Sequence, residues 1–318
     1  MKLPRDDECP ELRLSSHSVR ATGQKVSVEP THDAALHARA IGIVLHDFSL
    51  GGTERIAIRL ANEWADKGRL VTVVCGAEIG PLRALLSPAV ALVALNPVIE
   101  RGFGSRRKLG KVAAEVFAIA TVDLIFVPGN FHWQIVPALA RMPVAIRPQI
   151  AVQLSTPLVR YDRGRVHQAI YNRWMHWLLR GADATISLED AMTAQANGIL
   201  RNRITQWIRT PALECAPRPA VPLDPANRTI VAAGRMAAVK GFETAISAFA
   251  LLNDPDARLV ILGDGPLKKK LQQQAERLGV ADRVSLPGYV PCIRPWLDKA
   301  GLFLLSSRYE GFPAVLIE

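Results

Sequence analysis

Cysteine is scarce. The 318 residues hold four, at Cys9, Cys75, Cys215 and Cys292, and no two stand in a Cys-x-x-Cys pair. That excludes a disulfide scaffold and a cysteine-based zinc site, and makes free thiols in a reducing compartment the expectation. Aromatic residues are also few, at 6%. With the basic residues dispersed and no recognition-helix or stacking signature, nucleic acid is not an expected partner. Long apolar runs are missing as well. The longest candidates, Val112–Val122 and Ala89–Leu95, fall short of a bilayer-spanning helix. Met1–Leu14 contains Arg5, Asp6, Asp7, Glu8, Glu11 and Arg13 and no apolar segment of the kind a secretory signal needs, so a cytoplasmic chain is expected.

What is present is an ordinary globular composition, 49% hydrophobic and 21% charged, which argues against disorder. The length suggests two domains. The net charge of +10 is unevenly spread. Residues 1–211 carry 26 basic and 18 acidic groups, whereas residues 212–318 carry 13 and 11. The surplus in the first part favours an anionic partner, such as a nucleotide or an anionic lipid surface.

After a polar, aperiodic stretch over residues 1–38, expected to be a mobile extension, short apolar runs alternate with helical patterns. Ala40–His46, Leu70–Cys75, Val90–Leu95, Asp123–Val127, Val144–Ile150 and Ala182–Ser187 read as strands. Thr53–Lys67, Lys108–Ala120, Phe131–Arg141 and Arg165–Arg180 read as helices. Pro211, Pro217, Pro219, Pro222 and Pro225 then crowd one stretch, which suits a stiff linker over residues 212–227. The alternation restarts with strands at Thr229–Ala233, Arg258–Leu262, Val284–Leu286 and Leu302–Ser306. The helices between them are Phe242–Leu252, Lys268–Leu278 and Cys292–Lys299, and a new helix is expected from Pro313. The pattern predicts α/β architecture with parallel sheets covered on both faces, in domains at 39–211 and 228–318. Such sheets bind ligands beyond the carboxyl ends of their strands, so motifs that follow strands carry the most weight.

Five such motifs stand out. Gly51-Gly52-Thr53-Glu54 lies between the first strand and helix, where bare backbone N–H groups favour an anion, although Thr53 also serves as an ordinary helix cap. Gly234-Arg235 and Lys240-Gly241 follow Thr229–Ala233, so a planar fork and a compact ammonium frame the next helix. Gly263-Asp264-Gly265-Pro266 is good turn chemistry that faces the same ends. Glu310 and Glu318 stand about two helical turns apart after the last strand, and carboxylates hold sugar hydroxyls well. His132, in Asn130-Phe131-His132-Trp133, and His46 each end a strand and are either structural or ligand-facing.

Together with Leu286-Pro287-Gly288-Tyr289-Val290 and Ser307-Arg308-Tyr309-Glu310-Gly311-Phe312-Pro313, these residues resemble, over 40–318, the retaining glycosyltransferases of family 4. The resemblance implies the GT-B fold, two Rossmann-like domains whose parallel sheets face a central cleft, and an enzyme that moves a hexose-type sugar from a nucleoside-diphosphate sugar to an acceptor with retention. It implies that Arg235 and Lys240 hold the donor diphosphate, with Gly52 and Gly263 close to it. Glu310 would touch the donor sugar, with Gly311, Phe312 and Pro313 lining its oxygens. Glu318 would take the ribose, Val290 the base through its backbone, and His132 a place near the reacting sugar. No metal or other cofactor is implied.

The chain stops at Glu318, where the family's fold continues, so a fragment with an incomplete carboxyl-terminal domain is expected. The alternative is an inactive remnant that binds a nucleotide-sugar or an anionic membrane surface without turnover. An epimerase on the same architecture fits the paired glutamates less well. The acceptor is not specified, and the basic surplus allows peripheral contact with an anionic inner membrane face.

Overall fold

The structure, a computed structural model, describes residues 38–160, 162–200, 205–208, 224, 226–290, 292–311 and 313–316. Residues 1–37 of the extension expected over 1–38, and most of the expected linker, residues 212–223 and 225, lie outside the described residues. Among the described residues two compact units form. One takes residues 38–217 together with 308–318, and the other residues 218–307.

In the first unit the chain alternates as its apolar runs dictate. Strand β1 is Ala40–Leu45, followed by helix α1 at Gly52–Asp66, β2 at Leu70–Cys75 and β3 at Ala91–Ala94. Helix α2, Ser105–Ala120, leads to β4 at Leu124–Val127. The single helix expected over Phe131–Arg141 is broken into α3 at Gly129–His132, a 3-10 turn at Trp133–Ile135 and α4 at Val136–Leu139. Pro137, without an N–H, sits at the start of α4, and the Trp133 indole is drawn aside to donate to the Gln153 carbonyl at 2.9 Å. Strand β5, Gln149–Leu154, is followed by α5 at Arg165–Leu179, β6 at Ala184–Ser187, α6 at Asp190–Leu200 and β7 at Thr205–Trp207.

Two differences from the sequence reading have physical causes. The strand expected at Val144–Ile150 begins instead at Gln149, because Pro143 and Pro148 bracket a turn and Gln149 is the first residue whose N–H reaches the Asp123 carbonyl. The pair α6 and β7 was not expected at all, since the Ala-rich run after Asp190 has weak periodicity.

The sheet is parallel throughout, in the order β3-β2-β1-β4-β5-β6-β7. Alternate side chains of β1 feed its two faces. Val44 joins Phe117 and Leu109 of α2 and Leu178 of α5 on one side, and Ile43 and Leu45 join Ala57 and Ile58 of α1 on the other.

The second unit is smaller. It holds β8 at Thr229–Ala233, α7 at Phe242–Ala250, β9 at Arg258–Leu262, α8 at Lys268–Arg277, β10 at Val284–Gly288, α9 at Arg294–Leu297 and β11 at Leu302–Phe303. Its parallel order is β10-β9-β8-β11, with Phe242, Ile246 and Phe249 of α7 and Leu271 of α8 packed on Leu259 and Ile261. In place of the helix expected from Pro313 there is a 3-10 turn at Ala314–Leu316.

Candidate active site: two strand-end loops

In each sheet the strand order reverses once, beside the first strand of the unit, and open parallel sheets bind ligands outside the carboxyl ends at such a reversal. In the first unit that place lies between β1 and β4. Helix α1 starts there at Gly52, with Gly51 as its cap and no capping side chain. Thr53, considered as a cap from sequence, is already inside the helix, and Gly52 is exposed, with open space where a Cβ would stand. Gly129 (φ +62°) brings the β4 end within reach of Thr53 and Ser155: a Cβ on it would meet the Thr53 Cγ2 at 2.7 Å. Ser155, just past β5, donates to Asn130 Oδ1 at 2.6 Å and accepts the Asn130 N–H at 3.1 Å.

Beside these loops is an ion cluster that sequence reasoning missed, two buried carboxylates bridged by a partly exposed arginine. Arg101 donates through Nη2 to Asp47 Oδ1 at 2.7 Å and to Glu54 Oε1 at 2.9 Å, and its Nε also bonds Asp47. Its guanidinium lies 4.4 Å from the Phe131 ring centroid. Burial pushes the Asp47 carboxyl up, but Arg101 and the Ser49 hydrogen bonds outweigh it and hold it below its ordinary range. Burial pulls Arg101 down, yet its two carboxylate partners leave it more basic than usual.

His132, expected near the reacting sugar, has a side chain with no exposed surface. Nδ1 lies 2.9 Å from the Pro128 carbonyl, to which it donates, and Nε2 accepts the His46 N–H at 3.1 Å. Burial lowers its pKa to about 4. Both nitrogens are committed to backbone, so this imidazole ties the end of β1 to the end of β4 and offers no nitrogen to a ligand. His46 donates from Nε2 to Ser105 Oγ at 2.9 Å, since the Ser105 hydroxyl itself donates to the Gly102 carbonyl. Its Nδ1 is buried with no hydrogen-bond partner among the described residues, 4.0 Å from Asp47 Oδ2, and burial together with Arg101 lowers its pKa.

The segment around Glu310 reaches this unit. Gly311 packs flat on the β5 end, where a Cβ would stand 2.1 Å from the Ser155 carbonyl oxygen, so only glycine fits. The Tyr309 ring lies 3.7 Å beneath the Arg160 guanidinium. Glu310 and Pro313 are half-buried. Phe312 and Glu318 lie outside the described residues.

In the second unit the reversal falls between β8 and β11. The Gly234 loop and the Gly263 loop lie back to back: Gly234 N–H donates to Leu262, Met236 N–H to Asp264, and Gly263 N–H to Gly288. Gly263 (φ +125°) would carry a Cβ 2.1 Å from the Gly234 carbonyl oxygen, a contact no other residue tolerates. The Lys240 side chain runs along Gly234, with its Cε 3.2 Å from where a Cβ would be. Ser306, after β11, donates to the Lys240 carbonyl at 2.9 Å and ties the two loops of the reversal together. Arg235 is exposed at the mouth of β8, and Val290 follows β10 half-buried. Arg235, Lys240, Gly263 and Val290 therefore share one end of one sheet, while Gly52, Glu310 and Gly311 belong to the other unit.

Among the described residues, no three His, Cys, Asp or Glu side chains gather into a metal-ligating group, and no helix is long and apolar enough to cross a membrane. One Asp-x-Asp spacing exists, Asp254–Asp256, but it forms the turn before β9, at the opposite end of the sheet from the glycine loops.

A family model described as glycosyl transferases group 1 matches residues 217–318. The Vi polysaccharide biosynthesis protein VipC/TviE of Salmonella typhi is 44% identical over 68 residues, 21% of this chain and 12% of that one. The lipopolysaccharide core biosynthesis glycosyltransferase LpsE of Rhizobium meliloti is 38% identical over 95 residues, 30% of this chain and 27% of its own. The matches thus span well under a third of these relatives. The crystal structure of Anabaena Alr3699/HepE in complex with UDP and glucose superposes with a TM-score of 0.64 at 19% identity, over 85% of this chain and 74% of that one. That likeness establishes the fold, which is the GT-B type built from two Rossmann-like units.

Proposed function

We propose that the chain is a glycosyltransferase that moves a hexose-type sugar from a nucleoside-diphosphate sugar to an acceptor, with retention. The observation that carries this reading is the pair of glycine loops at the β8 and β9 ends, with Lys240 laid along Gly234 and Arg235 beside it. Bare backbone and two cations suit a diphosphate, which develops further negative charge as the sugar leaves. Arg235 and Lys240 stabilise that charge, with Gly263 close to the phosphates, and Gly52 is a donor contact in its own unit. Val290 meets the base through its backbone. Glu310 holds sugar hydroxyls, with Gly311, Phe312 and Pro313 around them, and Glu318 takes the ribose. His132 acts as a positioning residue, by fixing the strand ends that carry Gly52 and Gly129. The two side-chain cations supply the positive charge, so no metal ion is required.

The family model over residues 217–318, the glycosyltransferase names among the relatives and the UDP carried by the HepE structure all support this reading. The test is incubation with UDP-glucose and a panel of other nucleotide-sugars, following release of the nucleoside diphosphate with and without chelator. The reading predicts slow donor hydrolysis or transfer that survives the chelator, with the anomeric configuration kept. Tight donor binding without release of diphosphate from any sugar nucleotide would contradict transfer and leave a binding protein.

A further inference from the structure

Two residues flank Glu310, and the first unit holds both. The Tyr309 ring centroid lies 3.7 Å from the Arg160 guanidinium. Gly311 rests on the loop just past β5, where a Cβ would stand 2.1 Å from the Ser155 carbonyl oxygen and 3.1 Å from the Thr156 Cα. The Gly311 φ is outside the left-handed region, so the contact and not the backbone conformation demands glycine.

The loop that receives these residues is braced from behind. Leu158 is buried, and its carbonyl accepts a hydrogen bond from Gln168 Nε2 of α5 at 2.9 Å. Gln168 Oε1 accepts the Arg160 N–H at 3.1 Å, and Gln195 Oε1 of α6 accepts the Val159 N–H at 3.0 Å. Helices α5 and α6 thus fix the backbone that carries Arg160. Its guanidinium donates through Nε to Asp162 Oδ1 at 2.9 Å, and Nη2 bonds the other carboxylate oxygen. The Asp162 side chain is 59% exposed. Such a surface pair adds little to stability, but its two parallel bonds set the plane of the guanidinium. A planar cation held in place stacks on the Tyr309 ring, which an ammonium in the same position would not do.

We propose that Arg160 is a positioning residue for the donor sugar. Stacked on Tyr309, with Gly311 seated on Ser155, it holds the turn that carries Glu310 where the sugar hydroxyls meet it. The inference rests on the reading of Glu310 as the group that holds the sugar, and it makes the loop at residues 155–160 part of the sugar site.

The first measurement uses the full chain and needs no ligand. Trypsin is added, and the peptide that starts at Tyr309 is followed by mass spectrometry. Arg308 is exposed, but cleavage after it requires the next residues to leave their seat, so its rate tracks the released fraction. R160A and Y309A are each expected to speed this cleavage about fivefold, the scale of one cation–π contact. R160A/Y309A should be no faster than either single variant, because the two residues act as one pair. Y309F keeps the ring and should match wild type, whereas G311A should be cleaved fastest. The second measurement is calorimetry with UDP and UDP-glucose. R160A and Y309A should weaken UDP-glucose about fivefold and leave UDP affinity and thermal unfolding unchanged. Y309F should bind both nucleotides like wild type. Unchanged cleavage in R160A and Y309A, or losses that add in the double variant, would overturn the proposal. So would equal losses for UDP and UDP-glucose, the mark of a merely structural role. Faster cleavage in variants whose UDP-glucose affinity does not change, or in a protein that binds neither nucleotide, would contradict the donor role of Glu310 while the seat stands.

Discussion

The two units repeat one topology and fill it differently. The order β3-β2-β1-β4 in the first matches β10-β9-β8-β11 in the second, so each places its loops at an equivalent reversal. In the first, the ends of β1 and β4 rest on two buried carboxylates, Asp47 and Glu54, bridged by the partly exposed Arg101, and on a neutral, fully bonded His132. In the second, the ends of β8 and β9 are glycine backbone with Lys240 laid across it and Arg235 in water. Topology decides where a site forms, and the residues just past the strands decide what it does. One reversal spends its charges on holding itself together, and the other gathers two cations and glycine backbone at one end of its sheet.

The sharpest way to break this contrast is Arg101→Ala. It strands two buried carboxylates and should cost about 3 kcal/mol, at the lower end for buried pairs because Arg101 is itself partly exposed. Denaturant unfolding measures the loss. Arg101→Lys should recover only part of it, since an ammonium cannot fork between Asp47 and Glu54.

Next comes pH. His132 has a pKa of about 4 in the folded unit against 6.5 when free. The unfolded chain takes up the proton near pH 6.5 and the folded one only near 4, so stability falls as pH drops through that window, by up to about 3 kcal/mol. Urea unfolding at pH 7 and at pH 4.5 should show this, with a flatter profile in His132→Asn.

In the second unit the expected effects invert. Arg235→Ala and Lys240→Ala should weaken nucleotide-sugar binding by about tenfold or more each, the scale of a lost charge-assisted contact, while leaving thermal unfolding nearly unmoved. Calorimetry and a melting curve on the same sample separate the two. The smallest effect is expected at Gly52→Ala, where a Cβ meets nothing within 4 Å. Its stability should stay within about 0.5 kcal/mol, and any loss in donor affinity then reports close ligand approach to that backbone.

Much of this was legible in the chain because parallel sheets write themselves as short apolar runs. The runs before Gly51, Gly234 and Gly263 placed each loop at a strand end correctly. The start of β5 was misread because Val144 and Ile146 are apolar but sit between two prolines, and periodicity cannot see a missing N–H. Arg101 was missed because its partner Asp47 is 54 positions away and only the fold brings them together. The seating of the Glu310 segment on Ser155 was invisible for the same reason. His132 was correctly singled out as a strand-end residue, but its environment depends on the carbonyl of Pro128 and the amide of His46, which carry no signal of their own in the sequence.

The central claim is that the β8 and β9 loops recognise a diphosphate. The most direct measurement is calorimetric titration of the full chain with UDP and GDP against uridine and guanosine. The account predicts that at least one nucleoside diphosphate binds far more tightly than its nucleoside, and that Lys240→Ala erases most of the difference. Equal affinity for diphosphate and nucleoside, or a difference that survives Lys240→Ala and Arg235→Ala together, would contradict it.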